Sequence, residues 1–142
     1  MELEGKIWKE GRFWIVEVSC LNVTSQGKTR KEALLMIQDA VFELMKSYFG
    51  RLSKKFKITV HDFKKDSFGL TSNDNKLLLS FLLIRQREES GLSIRDVAAR
   101  LESKSPNSYA QYEKGMINFS IDQYEKLMHA INPKRTSILR VI

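Results

Sequence analysis

At 142 residues the chain can bury one good core or two small ones, and its net charge of +7, with a pI near 9.6, suits a partner made of phosphate. The basic excess is spread out, 13 Lys or Arg against 9 Asp or Glu in residues 1–66 and 11 against 8 in residues 67–142, so charge alone does not locate a binding site. The single cysteine, Cys20, excludes a disulfide framework; with no CxxC and no His cluster, neither a metal nor a cofactor is expected. The longest apolar run, Leu77 to Ile84, is interrupted by Ser80 and too short for a bilayer, and the N-terminus has no basic start followed by an apolar run. A soluble cytoplasmic protein with no membrane partner is expected.

The first elements read as strands. Leu3–Trp8 and Phe13–Val18 are rich in β-branched and aromatic residues, with a turn at 9–12 (KEGR) between them, so they form a hairpin. A third strand covers Val23–Gln26 and ends at Gly27. Thr29 caps a helix, and Glu32, three residues on, completes a capping box. Leu34, Ile37, Val41, Leu44 and Tyr48 then share one face, which packs the helix on the sheet, and Gly50 ends it. A last strand, Phe56–Phe63, turns Phe56, Ile58 and Val60 inward and Lys57, Thr59 and His61 outward. The order is β-β-β-α-β over residues 1–66. Residues 67–74, within the polar stretch KKDSFGLTSNDN, read as a linker that Phe68 and Leu70 partly dock. A sheet with a helix on one side leaves its other face open. One tryptophan of Trp8 and Trp14 is then expected in the core and the other at a protein interface.

From Asn75 onward the rhythm is helical. Gly91 closes one helix, and Ser93 caps the next, Ile94–Leu101, whose inner face is Ile94, Val97, Ala98 and Leu101. Ser105 is a second N-cap, with Pro106 at the first helical position. In that helix Tyr109, Tyr112 and Glu113 face the domain while Asn107, Ser108 and Gln111 face out, and short amides and hydroxyls are side chains that read base edges. Lys104, Ser105 and Lys114 flank this face and are the candidates for phosphate contacts. Tyr124, Leu127, Met128, Ile131 and the tail Ile138–Ile142 are candidate dimer contacts, although the first four also fit the domain's own core. The whole is α+β.

Residues 75 to about 132, and GLSIRDVAARLESKSPNSYAQYEKG above all, resemble the phage-repressor family of helix-turn-helix domains. Two positions depart from that pattern. The turn between Leu101 and Tyr109 is one residue longer, and Ile94 stands where the family often has a Gln that contacts a phosphate. The run FWIVEVSCLNVTSQGKTRKEAL, with the amphipathic helix and strand after it, resembles the N-terminal domain of HicB antitoxins, which have a partial RNase H-like fold. Its most diagnostic part is Gln26-Gly27-Lys28-Thr29 with Glu32-Ala33; Ser19, Cys20 and Asn22 replace a Pro-containing segment of many relatives.

The resemblance implies an antitoxin that blocks a HicA-like ribonuclease toxin and represses its own operon by binding operator double-stranded DNA, as a homodimer or larger assembly. Toxin contacts are expected on the open sheet face and hairpin edge, at Trp8, Glu10, Arg12 and Trp14, with Glu17 as a further acidic candidate against a basic toxin. The alternative is a free-standing transcription regulator whose N-terminal domain senses a ligand or only dimerises. No Ser-His-Asp set, Cys-His pair, Walker loop or GxGxxG is present, and Glu17 with Asp39 is the nearest approach to a carboxylate pair, so no catalysis is expected.

Overall fold

A computed structural model describes residues 1–103 and 105–137. The N-terminal half is a five-stranded sheet of order β3-β2-β1-β5-β4, antiparallel at every pairing. Its strands are β1 (Leu3–Glu10), β2 (Phe13–Val18), β3 (Val23–Gly27), β4 (Ile58–Asp62) and β5 (Ser67–Ser72), and α1 (Arg30–Phe49) covers one face. A 3-10 turn, Ser19–Leu21, joins β2 to β3. The helical half comprises α2 (Asn75–Glu89), α3 (Ile94–Arg100), α4 (Pro106–Ala110), a 3-10 turn at Gln111–Lys114, and α5 (Ile121–Ile131).

The expected linker is a strand. Residues 67–72 form β5, which lies between β1 and β4 and hydrogen-bonds to both, with Phe68 and Leu70 fully buried. The sequence FGLTS alternates well enough for a strand, but its glycine and flanking polar residues mask the pattern. The element order is therefore β-β-β-α-β-β, and the sheet is incomplete without residues beyond 66. Gly5 explains how Phe68 fits: a Cβ there would fall 2.1 Å from the Phe68 ring, which lies across the β1 backbone.

The helix α1 starts as its sequence dictates, with one change of partner. Thr29 Oγ1 accepts from Glu32 N at 3.1 Å, while the Glu32 carboxylate reaches back past the cap to Lys28 N, also at 3.1 Å. The buried face is Ala33, Ile37, Val41 and Met45, rotated from the expected stripe, with Leu34 and Leu44 on its flanks and Tyr48 exposed. Small Ala33, in the first turn, is buried where Gly27 of β3 passes against its backbone.

The two halves share a core. Leu78, Phe81 and Leu82 of α2 belong to the cluster that holds Ile7, Val16, Ile37, Met45, Phe68 and Leu70, and Phe81 meets the rings of Tyr48 and Phe49 edge-on. Around that seam Arg85 donates to Leu21 O and Asn22 O, both at 2.7 Å, and Gln86 donates to Cys20 O at 2.5 Å. Burial there pushes the Cys20 thiol up to about 11, so it stays protonated at neutral pH. Leu83, Val97, Ala98, Tyr109, Leu127, Met128 and Ile131 make a second cluster. The burial of Leu127, Met128 and Ile131 removes them from the dimer contacts expected there, and Tyr124 is half-buried between the clusters. Ile138–Ile142 lie outside the described residues.

Candidate nucleic-acid interface

The second helix of the helical pair is built from its cap. Ser105, extended at φ −142° and ψ 134°, accepts from Asn107 N at 3.3 Å, and Pro106 occupies the first turn, where its missing N–H costs nothing. The α-helix lasts five residues before tightening into the 3-10 turn that ends at Gly115, φ 77°. Along this segment Tyr109 and Glu113 are buried and Tyr112 is half-buried; Asn107, Ser108, Gln111 and Lys114 are exposed. Asn107, Ser108 and Gln111, at i, i+1 and i+4, form one polar row. Ser105 and Pro106 are half-buried at the entrance, and Lys104 lies outside the described residues.

The inner face of this segment is held by a buried ion pair. Arg87 of α2 meets Glu113 through Nε at 2.7 Å and Nη2 at 2.9 Å, and its Nη1 donates to Leu92 O at 3.0 Å. The Glu113 hydrogen bond raises the Arg87 pKa. Ser80 Oγ donates to Tyr112 O at 2.6 Å, which is why a serine interrupts the apolar run of α2. Leu77, one turn earlier, fills the space beside Gly115, where a Cβ would fall 2.4 Å from its Cδ1. Burial pushes the Tyr109 hydroxyl up; Glu113 and Arg87 act on it through charge, yet among the described residues no group makes hydrogen-bond geometry with it. Sequence reasoning placed Glu113 inward without its partner. An inward carboxylate demands a buried cation, and that demand could have pointed to Arg87.

The first helix of the pair, α3, has a full capping box: Ser93 Oγ accepts from Asp96 N at 3.1 Å and the Asp96 carboxylate accepts from Ser93 N at 2.8 Å, which lowers its pKa. Ile94 packs against the second core, so the position is spent on packing. The longer turn is accommodated by Glu102 at φ 56° and by Ser103, whose Oγ donates to Ser105 O at 2.8 Å.

The other candidate surface is the open sheet face. The strand register puts Glu4, Lys6, Trp8 and Glu10 of β1 beside Phe13, Ile15 and Glu17 of β2 on the side away from α1. Trp8, Phe13 and Phe63 are each about 40% exposed. His61 Nδ1 lies 2.7 Å from Glu2 Oε2, and Glu2 and Phe63 both cross over Gly69. Along β1 and β2 this face carries Glu2, Glu4, Glu10 and Glu17 against Lys6, an acidic patch on a basic chain, with Lys57 and His61 at its far edge on the β4 side. Trp14 is not part of it: it packs toward the core, and the Arg30 guanidinium lies 5.7 Å from its ring centre. Alternation from Val16 decides this, since Trp14 shares its parity. Arg12 is at the hairpin turn. The expectation missed Phe13, which the hairpin and its alternation already placed beside Trp8, and Phe63 and Glu2, which come near that face through the pairing of β1 with β5 and β5 with β4. Glu17 on the open face and Asp39 on the exposed side of α1 are on opposite sides of the sheet.

Residues 83–138 match the family described as Helix-turn-helix. That stretch spans the second half of α2, α3, α4 and α5, so the polar row sits on a helix-turn-helix domain of DNA-binding type. No curated protein matches the chain.

Proposed function

We propose that this chain is a non-enzymatic repressor of the antitoxin type. The helix-turn-helix domain binds double-stranded DNA through Asn107, Ser108 and Gln111, and the open sheet face takes a small basic protein, a HicA-like toxin. What carries the reading is the exposed polar row on a segment that matches a helix-turn-helix family. Support for the partner comes from the other side of the molecule, where exposed aromatics stand among four carboxylates: such a face suits a basic protein and repels phosphate. The element order β-β-β-α-β over residues 3–62 is also what the HicB resemblance implies, with β5 as an addition.

The test is co-expression of the full chain with the small basic protein encoded beside its gene. The intact protein rescues growth, and a Trp8→Ala/Phe63→Ala variant loses rescue while keeping its grip on promoter DNA. Failure of the intact protein to rescue, with promoter binding retained, would leave a free-standing regulator as the function.

A further inference from the structure

We infer that the loop between α1 and β4, on the N-terminal half, extends the DNA-binding surface by gripping phosphates beside the site that α4 reads. The inference rests on the DNA-binding reading above. Between Glu43 and Asp62 the chain has no acidic residue and five basic ones, Lys46, Arg51, Lys54, Lys55 and Lys57. The last four are exposed, and among the described residues none is in a salt bridge.

Such a run is ordinarily a solvated surface; here it is held in place. Asn73 binds the loop three times: its side chain accepts from Lys57 N at 2.9 Å and donates to Lys55 O at 2.6 Å, and its backbone N donates to Lys57 O at 3.3 Å. Phe56 is buried between them, and Phe56 N donates to Ser53 O at 3.0 Å. Like charges fixed close together repel, and a phosphate strand relieves that repulsion.

The position of the clamp gives the loop its role. Asn73 precedes Asp74, the N-cap of α2, and Leu77 on the first turn packs beside Gly115 at the end of the reading segment. Four residues of helix rise about 6 Å, so, counted along these contacts, the Lys55 carbonyl lies within about 15 Å of Gly115. That is close to the ~12 Å width of a major groove. With α4 in the groove and Lys114 at its wall, Lys76, Lys55, Lys54 and Arg51 continue a basic track along the adjoining backbone. The sheet half then takes part in holding DNA without reading its sequence.

The experiment uses the full-length protein and a fluorescein-labelled 30-bp duplex of random sequence, titrated by anisotropy across 50–200 mM salt. Arg51→Gln/Lys54→Gln/Lys55→Gln is compared with Lys9→Gln/Lys28→Gln/Lys31→Gln, an equal charge change near the far end of α1, about 30 Å away. Each lost phosphate contact lowers the salt slope by about 0.9, so the loop variant loses about 2–3 in slope and at least tenfold in affinity, and the control changes little. Matching thermal melts show that both variants fold. Equal losses in the two variants, or an unchanged slope in the loop variant, overturn the inference while leaving the DNA reading intact. A loop variant that loses affinity only for single-stranded RNA of the same length assigns the track to RNA and also overturns it. A wild-type protein without salt-dependent duplex binding removes the DNA reading itself.

Discussion

The sheet with α1 and the helix-turn-helix domain both lean on α2, and they hold it by different chemistry. On the sheet side the centre of the contact is apolar, with Leu78, Phe81 and Leu82 in the same core as Ile7, Ile37 and Phe68, and Arg85 and Gln86 bond to backbone carbonyls at its edge. On the other side Leu83 packs in one cluster with Tyr109, and directional bonds are added to that packing, the bidentate Arg87–Glu113 pair and Ser80 to Tyr112 O. Apolar burial is large and non-directional, so it makes the two halves depend on each other for folding. Directional bonds instead set the angle at which a short segment is presented. A five-residue helix has little intrinsic stability. Its orientation therefore comes from the packing of Tyr109 with Val97 and Ala98 of α3 and from the bonds of α2 to the 3-10 turn that follows it.

The sharpest way to break this comparison is to cut the chain. A fragment of residues 1–66 lacks β5, on which β4 depends for its only pairing among the described residues, and lacks the α2 residues that close the core. It shows no cooperative thermal transition by circular dichroism. A cooperative melt in that fragment would mean that the halves are independent.

Glu113→Ala probes the polar side. It strands a guanidinium only 14% exposed, and such a loss costs about 3–5 kcal/mol, read as a shift in the urea midpoint at unchanged m-value. A change under about 1 kcal/mol would show that the pair does not hold the segment. Ser80→Ala leaves the Tyr112 carbonyl short of a donor and costs about 1–3 kcal/mol on the same assay.

The smallest effect is on the sheet's rim. Arg30 pairs with Asp62 at 2.6 Å and holds its carboxyl below the usual range, chiefly by hydrogen bonding. Both side chains are a quarter to a third exposed, so Arg30→Ala costs below about 1 kcal/mol. Because the folded pKa is lowered, that stability is present above the unfolded value of about 3.9 and is lost as pH falls through the lower folded one. The difference between wild type and variant, measured by urea denaturation, vanishes at the acid end. A difference that grows on acidification would contradict the assignment.

Much of this was legible in the residues. The hairpin, the capped starts at Thr29, Ser93 and Ser105, and the outward row of Asn107, Ser108 and Gln111 all follow from local chemistry, which sequence carries directly. What stayed hidden was long-range. β5 read as a linker because its pairing with β1 is non-local and Gly69 with its polar neighbours masks the hairpin it forms with β4, and the buried face of α1 begins at Ala33, where Gly27 lies against the helix backbone. Trp14 is expected at the interface with the hairpin edge, although its parity with Val16 already turns it toward the core. Arg87–Glu113 joins residues 26 apart, so only the need to neutralise a buried carboxylate pointed to it.

The most direct test is the affinity of the full chain for a fragment of its own promoter, against a random duplex at the same salt, for wild type and Gln111→Ala. Presentation of the polar row by α2 and α3 predicts that wild type prefers the promoter and that the substitution costs about 1–3 kcal/mol there, with little change on random DNA. An unchanged promoter affinity in Gln111→Ala, or a wild type that binds both duplexes alike, would contradict it.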